Sequence, residues 1–518
     1  MEGTRVKLLD DTKQLLNTRG GAHIVWIAGM AGTGKTSVAL TLCRALAQDP
    51  TIILGGTFFC SRSAGAVERT EVQHILPTFA VVLARKVTAY AEALAKELKE
   101  DPDLAHKSIH LQVKRLLINP LERLRSLDHQ IVLVIDALDE CSDERKLVEL
   151  INALASFTSP APVKFLFTSR PEMHIRETLI SDTSLSSIIH LHNINLAHVT
   201  ADIRLYVQKT FEKATSSSAW YMEGDVNELA ALSGGLFIFA STAVAYILRR
   251  KTVSSRSERL NTVKMQTSNS LSTASLDKMY SLIITQASNP EALELTELNE
   301  TRRIVAVILS TRVPLTLKCL AKLLGLTPEH LRGALDGLHA VIHVPEEDDE
   351  GEPRMLHASF GDFIQLRAPE YIRISKEYGH DELARGCLQR MTAADLCFNI
   401  SGSETSYLAN DYNELDWFCE HDEGEVNCIA SSLVYACLHW AYHIDLASVR
   451  SSFDDKIESF LRLKLLFWLE LLSIIDEVGR ASSLLRIAAS AVSDYSLFSA
   501  QISEMYAGNR RECLVVSP

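Results

Sequence analysis

From residue 23 to residue 196 the chain alternates short apolar runs with longer helix-like stretches. HIVWIA ends at Ala28, TIILGGTFF covers Thr51 to Phe59, QIVLVID ends at Asp136, VKFLFTS ends at Ser169, and SSIIHLHNINL ends at Leu196. Apolar runs of this length, bounded by turn residues and separated by helical segments, predict buried strands of a parallel sheet covered on both faces. TSVALTLCRALAQ predicts a helix directly after the first strand, and one long helical stretch is expected from about Val72 to Lys99.

Beyond this unit, which is expected to occupy 1–197, the pattern is helical. A small helical domain is predicted over 198–250, interrupted by SGG at Ser233 to Gly235. Lys251 to Ser275 is rich in Ser, Thr and Arg and reads as a linker or long loop, so 251–297 is assigned as linker and helix. Three helices and a hairpin around the polar turn EEDDEGEP outline a winged-helix-like domain over 298–366, its third helix capped by Thr327 with Pro328 in the first turn. The remainder, 367–518, reads as an α-helical region with Trp417, Trp440 and Trp468 among apolar residues.

Composition narrows the function classes. The 518 residues are 47% hydrophobic and 23% charged, which fits an ordered soluble chain. A net charge of -13 disfavours a general nucleic-acid or membrane-surface binder. The third helix of the winged unit, with one arginine and two acids, disfavours DNA readout in the same way. The run GLFIFASTAVAYIL is too short to span a bilayer, and MEGTRVKLLDDTK lacks the apolar core of a signal peptide. Ten cysteines without a CxxC pair read as reduced core thiols, and the expected location is cytoplasmic.

The chemistry concentrates in GMAGTGKTS, which follows the first strand and opens the first helix. Gly29, Gly32 and Gly34 let the backbone curl, so that N–H groups around Thr33 and Ser37 point at phosphate oxygens. The helix adds the positive end of its dipole. Lys35 supplies a cation for the outer phosphates and Thr36 a hydroxyl for Mg²⁺. Asp136, an acid ending an apolar strand, is the expected second Mg²⁺ ligand, because burial without a cation would be costly. Asp139 and Glu140 follow on the next turn and, with Arg170, are the candidate catalytic residues; Glu140 is expected to orient or deprotonate the attacking water. Thr168, Ser169 and Arg170 end the fourth strand and are expected to put hydroxyls and a cation near the terminal phosphate.

GMAGTGKTS, VLVIDALDEC, FLFTSRPE and LSGGLFIFASTAV, in that order, resemble the NACHT class of signal-transducing (STAND) P-loop NTPases. The resemblance is to the fungal group with a nephrocystin-3-like N-terminal domain. It extends from GTR at Gly3 to Arg5 through LHASFGDFI and YLANDY to LLFWLELLSII. It implies an α/β P-loop NTPase core whose five-stranded parallel sheet sets the sensor strand between the P-loop and Walker B strands, followed by helical, winged-helix and all-α regions. It also implies an ATP/ADP switch with Mg²⁺ and slow hydrolysis, closed on ADP and forming a homo-oligomer with ATP, in signalling or nonself recognition. By the same resemblance His357 touches the bound diphosphate.

Two departures accompany it. Related chains carry an effector domain before the NTPase and a repeat array after it, whereas 28 residues precede Gly29 here and no repeat is found. A truncated gene product, a stand-alone switch, and a partner of proteins supplying the effector or sensor domains all stay open. GGLF at Gly234 to Phe237 lacks the proline that some related switches lay over the adenine. The alternatives to a switch are a P-loop ATPase or kinase turning over a small substrate, and a scaffold stabilised by nucleotide with degenerate hydrolysis. ATP rather than GTP rests on the family alone. Cys437, His439 and His443 sit at helical spacing among apolar residues and are expected in the core rather than on zinc.

Overall fold

The computed structural model describes residues 3–18, 22–61, 67–122, 124, 129–156, 162–180, 186–191, 194, 196–214, 220–249, 253–267, 272–287, 295–348, 351–370, 372–400 and 429–491. YLANDY and Trp417 lie outside them. The chain divides into two compact units, Met1–Thr285 with Leu356–Phe363, and Gln286–Met355 with Ile364–Pro518.

In the first unit five strands, β1 (Ile24–Ala28), β2 (Ile52–Phe59), β3 (Gln130–Asp136), β4 (Val163–Ser169) and β5 (Ser186–His190), form one parallel sheet in the order β2-β3-β4-β1-β5. The sensor strand β4 thus lies between β1 and β3, as the resemblance implies. β1, β3 and β4 are buried along their whole length. Ile24, Trp26, Leu133 and Phe165 pack into one core, and Val25, Ile27, Val132 and Leu166 into another, so alternate residues face opposite helical layers. The fold is an α/β P-loop core. The helix expected over 72–99 is broken: Ile75–Lys86 ends at Val87, whose φ of -129° starts Thr88–Glu100 in a new direction.

The first unit continues through the helices Leu196–Ala214, Glu223–Leu232, Phe237–Leu248, Val253–Thr267 and Ser272–Ala287. The linker expected from Lys251 is therefore corrected: Val253–Thr267 is a helix. Its inner face, Arg256, Leu260, Val263 and Thr267, is buried at helical spacing. Polar groups do much of the docking. Arg256 lies over Trp220, Arg259 lies over Tyr246 at 4.3 Å, and Lys264 pairs with Asp225 at 2.8 Å. The boundaries at 197 and 250 mark no break between units, and the 298–366 domain is interrupted. Leu356–Phe363 belongs to the P-loop unit, where Tyr280 packs on Phe360 and Phe363 with ring centroids 5.3 and 5.5 Å apart.

The second unit holds the helices Leu295–Ser310, Leu317–Leu324 and Pro328–Leu335, then an antiparallel pair, β6 (Ile342–His343) and β7 (Arg354–Met355). Thr327 caps the third helix by accepting from His330 N–H, with Pro328 in its first turn. Further helices follow from Lys376 to Ala491. Trp440 and Trp468 are buried there edge to face, and Trp468 Nε1 donates to the Cys437 carbonyl at 3.0 Å. His443 is buried between His380, Nδ1 to Nδ1 at 2.8 Å, and the Tyr435 hydroxyl, 2.8 Å from Nε2. Both ring nitrogens are thus used within the core, and burial pushes the pKa values of His380 and His439 down to about 4 and about 3. Among the described residues no helix is long and apolar enough to cross a membrane.

Candidate nucleotide site

The parallel sheet delivers its carboxyl ends to one edge. Ala28 pairs with Ser169, and Phe59 with Asp136, so the loops after β1, β3 and β4 converge there. The loop after β1 turns through Gly32 and Gly34 at φ of 77° and 88°, where a side chain would be strained. At Gly32 an added Cβ would meet Ile238 Cγ2 at 2.1 Å, because the helix Phe237–Leu248 lies on the loop. Gly29 N–H ties the loop to the Ser169 carbonyl at 3.1 Å, and Thr33 Oγ1 donates to the Met30 carbonyl at 2.8 Å. Ser37 sits in the first turn of the helix Lys35–Ala47.

Lys35 curls back over the loop, Nζ donating to the carbonyls of Gly29 and Met30 at 2.7 and 3.0 Å. Burial lowers its pKa; Asp139 opposes that shift, and Arg170 reinforces it. An anion accepted in the loop would relieve both the burial and the repulsion. Thr36 hydrogen-bonds the carboxyl of Asp136, which is buried and takes a second hydrogen bond from Thr168 Oγ1. Burial raises the Asp136 pKa, against the hydrogen bonds from Thr168 and Thr36. A buried carboxylate beside a hydroxyl, next to a phosphate loop, is a donor set that fits Mg²⁺. Glu140 lines the same cavity on the turn after β3.

The end of β4 corrects part of the expectation. Thr168 and Ser169 are fully buried and do not line the cavity over the loop. Thr168 donates to Asp136 and accepts from Ala137 N–H at 3.0 Å, while Ser169 accepts from Trp26 Nε1 at 2.8 Å. Thr168 thereby holds Asp136 and the left-handed Ala137 (φ 57°), and Arg170 alone of the three lines the cavity. Arg170 is itself gripped. Asp139 Oδ1 accepts its backbone N–H at 2.9 Å, Asp139 Oδ2 forms an ion pair with its Nε at 3.2 Å, and Asp362 lies 3.4 Å from Nη2. Asp139, expected as a catalytic acid, has both carboxylate oxygens on Arg170.

The cavity over the loop measures about 610 Å³, within the range of small-molecule sites. Lys35, Thr36, Asp136, Glu140 and Arg170 line it, and so does a second group, Arg5, Tyr206, Phe237 and Ser241. Site reasoning from the sequence missed this second group; its one local signal was the lone cation in GTR. Arg5 is buried at φ 57°, stacked 5.2 Å from the Phe237 ring, with Nη2 3.3 Å from the Thr33 carbonyl. Its Nη1 is buried with no acceptor among the described residues, a donor left for a ligand.

His357 lines the cavity too, although its place in the chain is far from the loop. It caps the short helix Ala358–Asp362, its Nδ1 accepting Ser359 N–H at 3.0 Å. Burial, then Lys35 and Arg170, push its pKa down to about 4, so the ring is neutral at pH 7.

Residues 3–170 match the family described as Nephrocystin 3, N-terminal. That segment is similar to a nephrocystin-3-type N-terminal domain. Over 90% of its length the chain is also 22% identical to the vegetative incompatibility protein HET-E-1 of Podospora anserina. The similarity to HET-E-1 thus extends beyond the segment that the family matches. The chain spans about a third (34%) of HET-E-1. Among solved structures, the Walker-type ATPase PABY2304 of Pyrococcus abyssi is similar at 12% identity and a TM-score of 0.32, over 69% of this chain and 94% of that one. The ORC1 protein of Aeropyrum pernix, solved in complex with DNA, gives 14% and 0.32 over 73% and 92%. At these scores neither says more than that the alignments are long.

Proposed function

We propose that the chain is a nucleotide-dependent molecular switch, holding ADP in a closed form and ATP in an open, self-associating one, with slow hydrolysis as the reset. The observation that carries this reading is His357 on the same cavity as Lys35, Asp136 and Arg170. A catalyst that only turns over needs the loop, the metal ligands and a base; a distant segment that touches the phosphates makes their occupancy felt elsewhere in the chain.

In this account the loop N–H groups and Lys35 hold the phosphates, and Arg5 with Phe237 and Tyr206 takes the base and ribose. Thr36 and Asp136 would hold Mg²⁺, which supplies neutralising charge to the phosphates. Glu140 orients the attacking water and takes its proton. Asp139 and Asp362 aim Arg170 at the terminal phosphate. The winged-helix-like span has no part in reading DNA: its third helix carries one arginine, Arg332, and Asp348 holds it at 2.9 Å. HET-E-1 is by name a vegetative incompatibility protein, and signalling in nonself recognition is the role we propose for this switch.

His357 is the test. A ring N–H donated to a phosphate oxygen is a charge-assisted bond of about 1.5–3 kcal/mol. His357→Ala is expected to speed ADP release by roughly tenfold or more, since 1.4 kcal/mol is a decade. ATP affinity should change much less, and the self-associated fraction in sedimentation should rise. ADP release at the wild-type rate from a folded mutant would remove the latch.

A further inference from the structure

His357 can serve a phosphate in only one of its two neutral forms, and its surroundings select that form. Nδ1 accepts the Ser359 backbone N–H at 3.0 Å. A backbone N–H can only donate, so this contact favours the lone pair on Nδ1 and the proton on Nε2 by the worth of one hydrogen bond. The Ser359 hydroxyl lies 2.7 Å from the same nitrogen and therefore donates to it as well. Having spent its proton there, Ser359 Oγ accepts from the Tyr280 hydroxyl, 2.7 Å away. The chain of donors then runs one way, from Tyr280 through Ser359 to Nδ1. Both hydroxyls are buried, so water does not compete for them. The opposite tautomer would set a lone pair against the phosphate and leave Ser359 N–H facing a proton.

We propose that Ser359 and Tyr280 are positioning residues that lock His357 as an Nε2–H donor to the phosphates, and that Tyr280 ties that contact to the helix Ser272–Ala287. This rests on the reading of His357 as the phosphate latch. Because the ring is neutral at pH 7, its donor direction decides whether it attracts or repels a phosphate. Tyr280 suits the task twice over. Its ring is fixed against Phe360 and Phe363, and its hydroxyl completes the chain.

The experiment combines nucleotide release with a direct view of the ring. Release of a fluorescent ADP is followed for wild type, Tyr280→Phe, Ser359→Ala and His357→Ala, and for each hydroxyl mutation combined with His357→Ala. Histidine-selective ¹⁵N spectra, with His357 assigned by its loss in His357→Ala, report the tautomer. The expected spectrum is a protonated Nε2 and a bare Nδ1 in wild type, shifting toward a mixture in Tyr280→Phe and Ser359→Ala. Each hydroxyl mutation should speed ADP release about three- to tenfold, the usual worth of one hydrogen bond. Neither should add to the effect of His357→Ala, because both act through that ring. A wild-type ring protonated on Nδ1 would overturn the proposal. So would faster release in Tyr280→Phe that persists unchanged on the His357→Ala background, which is the mark of a packing role. If His357→Ala alone leaves release unchanged, the latch fails and the proposal with it, whereas a latch that works with an unaltered tautomer in both hydroxyl mutants refutes the positioning role only.

Discussion

Lys35→Ala protein is expected to gain no thermal stabilisation from Mg-ATP. Ligand at 100 times its Kd stabilises a folded protein by about 2.7 kcal/mol, so the wild type should show a clear upward shift in Tm. Lys35 is half-buried in the loop, with Nζ donating to two loop carbonyls and its charge disfavoured until an anion arrives. Removing one partner of a desolvated charge pair typically costs about 2–5 kcal/mol, which corresponds to roughly 1.5 to 3.5 orders of magnitude in Kd. The ligand-free mutant loses two hydrogen bonds to loop carbonyls and the attraction of Asp139, Asp136 and Glu140, but it also sheds a desolvated charge beside Arg170, so its own Tm should stay close to that of the wild type. An equal shift with Mg-ATP in mutant and wild type would remove the loop from nucleotide binding.

The second large effect is on hydrolysis. Glu140→Gln should bind Mg-ATP as the wild type does, while single-turnover hydrolysis falls by about 10²- to 10⁴-fold, the usual contribution of a general base. Asp136→Asn should act differently, raising the Mg²⁺ concentration needed for binding, because that carboxylate sits against Thr36 rather than over the turn. Hydrolysis at the wild-type rate in Glu140→Gln would reduce Glu140 to an acid at the start of a turn. Asp139→Asn offers a useful contrast: it loosens Arg170, which Asp139 holds by both oxygens.

The sheet was legible because its strands are buried on both faces and so write themselves as unbroken apolar runs, VLVI before Asp136 and FLF before Thr168. The phosphate loop was legible because its chemistry needs glycines and a lysine at fixed spacing. Other features depend on which residues meet across the fold. Nothing in TSR says that Thr168 and Ser169 point into the core while Arg170 points out; that follows from the pairing of β4 with β1 and β3 and from the neighbours waiting there, Trp26 and Asp136. Val253–Thr267 was hidden because only two of its buried residues are aliphatic, and arginines over aromatic rings replace the usual apolar stripe. Arg5 was hidden for a similar reason, since its partners, Thr33 and Phe237, lie far along the chain.

On the switch reading proposed here, this site holds nucleotide tightly between turnovers. That reading is tested most directly by purifying the unmutated protein without added nucleotide, denaturing it and identifying what is released. Close to one ADP per chain, retained through gel filtration, is the expected result. A site that emerges empty, in protein that then hydrolyses added Mg-ATP through many rapid turnovers, would contradict it.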